Sequence, residues 1–349
     1  MTKHLYIHIP FCKNICSYCD FCRVKYDEKT VDKYLDLIEN DLLTLYVNNK
    51  FETIYLGGGT PNCLNDKQLN RLLSMLESHL DINYEFTIEC NPEFITKSQV
   101  NIFKDNKINR VSLGVQTFNE KILKQMNRQH INDDVINAID YLKHVGIDNI
   151  SCDLIYGFND LVLNDIKNSI DKLIKLGVKH LSLYSLELKE NSLITKNNYH
   201  LDDQLIETQL DFIITLLGQY DWNRYEVSNW TINDKYQSKH NKVYWLSNDW
   251  AAIGYGAYGL ENRDYYDFKG SVLNWEVNDV LYVDKDYYQQ ILLMGLRLKE
   301  GLDLNIDKYK KAYEMFKKQI DESKLLKIKH NRLVCVNLNL LDEFLITII

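Results

Sequence analysis

The feature that most constrains the fold is an alternation running through the first two thirds of the chain. Short apolar runs rich in β-branched and aromatic residues are each followed by a stretch with helical spacing. "HLYIHI", residues 4–9, reads as a strand stopped by Pro10, and "TVDKYLDLIENDLLTLYV", 30–47, then places Val31, Tyr34, Leu35, Ile38, Leu42 and Leu45 three or four apart. The pattern continues with strands "FETIYL", "YEFTIEC", "RVSLGV", "NISCDLIY" and "HLSLYSL". Helical stretches lie between and after them at 67–80, 99–104, 118–127, 132–145, 162–176 and 203–218. A seventh strand, "RYEVS", is expected at 224–228. Strands alternating with helices in this order make parallel β/α units with right-handed crossovers. The prediction is an α/β fold: an incomplete, parallel (β/α)6 TIM-like barrel over residues 1–232, followed by a smaller α+β region over 233–349. In that region "DYYQQILLMGLRL" and 305–323 read as helices and "LLKIKHNRLVCV" as a hairpin.

In parallel barrels of this kind the chemistry sits at the C-terminal ends of the strands, and the unusual residues of this chain fall there. A cysteine-rich loop follows the first strand, and Gly57, Gly58, Gly59, Thr60 and Pro61 follow the second. Glu89 and Asn91 close the third, Gln116 follows the fourth, and Asp153 lies near the end of the fifth.

A chain of 349 residues that is 45% hydrophobic and 26% charged can bury a large core and is not disordered. Its net charge of −8 gives no reason to expect nucleic acid as a partner. "MTKHLYIHIPF" has neither the long apolar run nor the small-residue site of a secretory leader, and no later run reaches membrane-spanning length. The expectation is a cytoplasmic protein with no transmembrane segment, compatible at most with peripheral association.

Eight cysteines in a reducing compartment point to metal rather than disulfides. Cys63, Cys90, Cys152 and Cys335 are isolated and read as small buried residues. Cys12, Cys16 and Cys19 form C-x3-C-x2-C, with Cys22 after two more residues. Structural zinc sites usually draw two Cys/His pairs from separate loops, whereas closely spaced thiolates in one loop suit an iron–sulfur cluster. A ferredoxin-like or zinc-binding module remains the alternative of another class.

"YIHIPFCKNICSYCDF" followed by "GGGTP" resembles the radical S-adenosylmethionine (SAM) superfamily. The similarity extends through "ECNPE", "RVSLGVQTFNEKILKQMNRQH", "DLIYG", "HNKVYW" and "GLRLKEGLD", and narrows to the branch holding oxygen-independent coproporphyrinogen III oxidases and HemW-type haem chaperones. This resemblance implies a [4Fe–4S] cluster on Cys12, Cys16 and Cys19, with the fourth iron left for the amino and carboxylate groups of SAM. Reduction of the sulfonium would then give a 5′-deoxyadenosyl radical. It further implies SAM-binding roles for Tyr6, Gly57, Gly58, Gly59, Thr60, Glu89, Gln116, Arg128 and Asp153. Glycines let the backbone approach the methionyl part, Arg128 suits its carboxylate, and the acids suit its amino group or ribose. Cys22 falls outside the shared pattern and is left out of the cluster.

Within the branch, oxidases carry an N-terminal extension, whereas only Met1 to Leu5 precede "YIHIP" here, so no lid is expected from that end. "HNKVYW" matches the H-N-x-x-Y-W element of the HemW type and makes His240 the candidate haem ligand. The helices and hairpin of the tail fit the family's winged-helix-like module. The function implied is a haem chaperone that transfers haem to acceptor apoproteins and draws electrons from a donor such as flavodoxin or ferredoxin. The alternative is a coproporphyrinogen III oxidase, so whether the chain is an enzyme stays open.

Overall fold

The computed structural model describes residues 2–280 and 283–349. Six parallel strands form the centre: β1 (His4–Ile9), β2 (Phe51–Gly58), β3 (Leu80–Cys90), β4 (Arg110–Gln116), β5 (Asn149–Tyr156) and β6 (His180–Ser185). Their neighbours in the sheet follow chain order, as right-handed β/α units require. Helices α1 (Glu28–Leu45), α2 (Asp66–Ser74), α3 (Lys97–Asp105), α4 (Asn132–His144), α5 (Leu163–Lys175) and α6 (Asp203–Gln219) are the main crossovers. α1 begins where the Asp27 side chain accepts the Thr30 N–H, and it turns Val31, Tyr34, Leu35, Ile38 and Leu42 inward, as their spacing predicts. Leu5, Ile7 and Ile9 of β1 are fully buried in the same core. Each such side chain contributes roughly 1.5–3 kcal/mol by leaving water.

The barrel is open, as expected, but its two edges differ from the sequence reading. "RYEVS" is not a seventh parallel strand. β7 (Asn223–Arg224) and β8 (Asn229–Thr231) form an antiparallel hairpin, and β8 pairs antiparallel with β6. The Glu226 carboxylate accepts from the Ser228 N–H and the Asn229 amide, which folds 225–228 back as the turn. At the other edge β9 (Ala251–Ile253) pairs parallel with β1, Leu5 facing Ala251 and Ile7 facing Ile253. The main sheet therefore crosses the expected division at residue 232.

Between β8 and β9 lies α7 (Lys239–Trp245), which carries the HNKVYW element. A meander unannounced by the sequence follows, made of β10 (Tyr258–Glu261), β11 (Asp264–Ser271) and β12 (Asn274–Val280). The tail has its own apolar core, built from α8 (Asp284–Gly295), α9 (Asp307–Met315) and α10 (Lys317–Glu322) against the expected hairpin of β14 (Leu326–Lys329) and β15 (Arg332–Cys335). β13 (Leu302–Asp303) adds to β15. The single helix expected over 305–323 is broken at Phe316, which buries its ring instead of continuing the helix.

Candidate functional site

The C-terminal ends of the six central strands open into a cavity of about 440 Å³. Directly after β1, Phe11–Cys12 pairs with Val24–Lys25, so the chain leaves and returns to one place and holds residues 13–23 as a closed loop beside the cavity. Cys12, Cys16 and Cys19 all line it. Burial pushes the Cys12 thiol upward and that of Cys19 to about 11, so metal binding to these two must release protons. Among the described residues no three His, Cys, Asp or Glu side chains gather at single-ion distance. Cys22 faces elsewhere. Its Sγ points at the Tyr255 carbonyl at 3.9 Å, and a Cβ on Gly256 would lie 2.6 Å from it. The His8 ring fixes this segment through its Nε2, 2.8 Å from the Cys22 carbonyl.

Polar and charged residues line the same cavity. Arg128 is 8% exposed, and its Nη2 donates to the Gly114 carbonyl at 2.6 Å and to Asn91 Oδ1 at 2.9 Å, while Nη1 lies 3.6 Å from Cys16 Sγ. Burial opposes its charge, but Tyr18, Cys16 and Glu93 outweigh that and raise its pKa. Its Nε has no partner. Asn91 is held by Asn62, whose side chain both donates to its carbonyl and accepts its N–H. Glu89 accepts from the Tyr55 hydroxyl at 2.8 Å and the Gly58 N–H at 3.1 Å. Burial still pushes its carboxyl up to about 7. Burial also raises Asp153, whose carboxylate accepts from Ser112 Oγ at 3.3 Å.

Of the residues singled out in the sequence, Cys12, Cys16, Cys19, Gly58, Gly59, Thr60, Glu89, Gln116, Arg128 and Asp153 share this one cavity. Tyr6 and Gly57 sit just beneath it: the Tyr6 hydroxyl meets His8 Nδ1 at 2.9 Å, and a Cβ on Gly57 would lie 3.0 Å from the rings of Tyr6 and Tyr55. At Gly59 a Cβ would stand 2.8 Å from the carbonyls of Pro10 and Phe11, backbone that cannot swing away. Gly59→Ala is therefore expected to lower stability by about 1–3 kcal/mol, read as a drop in the thermal unfolding midpoint; an unchanged midpoint would contradict this packing.

His240, the expected haem ligand, does not line the cavity. It is fully buried beneath the barrel, with Nδ1 2.6 Å from Thr53 Oγ1 and Nε2 2.8 Å from the Tyr244 hydroxyl. Neither ring nitrogen is open to iron. Conversely, Ser112 and Tyr184 line the cavity and were not picked out from the sequence. Tyr184 shares the inward face of β6 with Ser182 by two-residue spacing, a signal available only once the strand's inner face is known.

The Radical SAM superfamily model matches residues 6–173. The haem chaperone HemW of Lactococcus lactis is 32% identical over 345 residues, covering 93% of this chain and 90% of that protein. HemW of Bacillus subtilis is 33% identical, covering 74% of this chain and 70% of that protein. Among solved structures, the coproporphyrinogen III oxidase HemN of Escherichia coli superposes with a TM-score of 0.84 over 99% of this chain and 89% of its own, at 17% identity, a likeness of fold. Three thiols, a buried arginine and two acids lining one cavity, and similarity that spans nearly the whole chain, agree: this protein belongs to the HemW family of the radical SAM superfamily.

Proposed function

We propose that this protein is a haem chaperone, which binds haem and hands it to acceptor apoproteins, and that its barrel carries a [4Fe–4S] cluster and SAM. The observation that carries this reading is the similarity to HemW chaperones over both the barrel and the tail, 93% of the chain in the Lactococcus lactis comparison. The likeness to the oxidase is one of fold and brings no substrate with it.

The residues fit the cofactors. Three thiols border one cavity, Thr60 Oγ1 lies 3.5 Å from Cys12 Sγ, and Gly58, Gly59 and Gly114 line the same cavity. When bound, cluster and SAM supply one-electron reduction of a sulfonium. Cys12, Cys16 and Cys19 would hold the cluster; Arg128 would orient the SAM carboxylate; Glu89 and Asp153 would accept hydrogen bonds from the amino group or ribose. Electrons would come from a small donor such as flavodoxin or ferredoxin. No helix among the described residues is long and apolar enough to cross a membrane.

The test is an anaerobic haem titration of the reconstituted protein beside an incubation with coproporphyrinogen III. Saturable haem uptake without porphyrinogen turnover is the expected outcome, and turnover without stable uptake would replace this reading with the oxidase. His240→Ala should keep the wild-type haem stoichiometry, because the ring offers iron no nitrogen.

A further inference from the structure

The HNKVYW helix sits at the end of the barrel opposite the cavity, yet its residues reach toward the cavity wall through a chain of contacts. The His240 ring stacks on Tyr55 with centroids 5.1 Å apart and planes 25° apart, and Tyr6 stacks on the same ring at 6.2 Å and 28°. Held in this way, the Tyr55 hydroxyl reaches Glu89 Oε1 at 2.8 Å. His240 in turn is fixed at both nitrogens by Thr53 and Tyr244, and the Tyr244 ring packs edge-on against Trp250. The helix itself is clamped at each end. Glu85, on the same strand and same inward face as Glu89, accepts the N–H groups of Lys239 and His240 at 3.2 and 3.1 Å. At the other end the Tyr309 hydroxyl and the Lys308 amine, both from the tail, donate to the carbonyls of Leu246 and Ser247 at 2.7 and 2.8 Å.

We infer that His240 and Tyr55 are positioning residues for the SAM site: His240, seated by the tail, holds the Tyr55 ring so that its hydroxyl bonds the Glu89 carboxylate and keeps it aimed at SAM. This rests on the reading that Glu89 accepts hydrogen bonds from SAM. It gives the HNKVYW element a role at the radical SAM site. Glu89 needs such support, because it is enclosed by groups of both signs. Asp153 on β5 opposes its charge; Tyr55 on β2, the Gly58 N–H and Arg110 on β4 favour it. Tyr6 on β1, Tyr184 on β6 and Tyr244 on α7 also face it. Burial keeps the His240 ring neutral, so it stacks on Tyr55 without adding a charge beside Arg110.

A hydroxyl that donates to a carboxylate stabilises the ionised form, so its removal raises the carboxyl pKa. The experiment is equilibrium SAM binding to the anaerobically reconstituted protein between about pH 6 and pH 8.5, a window around the Glu89 value. Wild type, Tyr55→Phe, His240→Phe and Glu89→Gln are compared; titration of SAM itself is common to all four. Wild-type affinity should rise with pH as Glu89 loses its proton. Tyr55→Phe and His240→Phe should move that midpoint upward, with affinity about three- to tenfold weaker near neutrality and converging on wild type in alkali. Should His240→Phe fail to fold, Tyr244→Phe removes only the Nε2 partner and tests the same link. An unmoved midpoint, or a loss equal at every pH, would overturn the positioning role, since general loosening does not shift a titration. If Glu89→Gln keeps both the wild-type affinity and its pH step, the assignment of Glu89 to SAM is what fails.

Discussion

Cys16→Ala strips most of the iron from the reconstituted protein, and Cys22→Ala leaves it near the wild-type level: this is the expected result of paired iron analyses. Cys16 lines the cavity together with Cys12 and Cys19, whereas Cys22 turns its sulfur toward the Tyr255 carbonyl on the far side of the loop. Loss of a group that merely supports a metal ligand already costs about 10–100-fold in affinity, so loss of a ligand should cost at least about tenfold. Equal iron loss in both variants would place Cys22 among the ligands. Zinc in place of iron, or a reduced-cluster spectrum indifferent to SAM, would remove the basis for any radical chemistry at this site.

Arg128→Lys should weaken SAM binding by about 10- to 100-fold, the magnitude of one or two lost charge-assisted hydrogen bonds. A lysine keeps the charge but not the fork. One arm of the guanidinium is already engaged by Gly114 and Asn91, and those bonds hold the group against the cysteine loop. Shortening the group to a single ammonium gives up either that anchorage or the contact with SAM. Arg128→Ala goes further, because it leaves the half-buried Asn91 oxygen and the Gly114 carbonyl without this partner, at about 1–3 kcal/mol of stability. Calorimetric SAM binding combined with thermal unfolding separates the two losses. SAM affinity within about twofold of wild type in Arg128→Lys would show that the carboxylate is held elsewhere.

The central strands were legible because a strand covered by helices on one face and filled on the other is apolar along its length, and "NISCDLIY" matches β5 to the residue. The cysteine loop, the glycines and the acids at strand ends were legible for a related reason: barrel geometry sends those positions to one place whatever their neighbours are. What failed depended on contacts between distant segments. "RYEVS" has β-forming residues, but Glu226 closes a turn by bonding Ser228 and Asn229, a local bond that competes with the strand. The three residues of β9 are too few to show periodicity. The meander was hidden by polar strands, and its first turn uses Asn262 and Arg263 with φ of 54° and 74°, where arginine gives no turn signal. The expectation for His240 rested on the HNKVYW resemblance alone; only the fold reveals that its ring lies buried against Tyr55.

β9 joins the sheet beside β1, although some 240 residues of chain separate them. The strand that launches the cysteine loop is thus the first to leave the ribosome, yet it keeps one bare flank until residue 253 has been made. A chain halted near residue 232 would therefore present an unpaired strand edge beside the cysteine loop, inviting self-association.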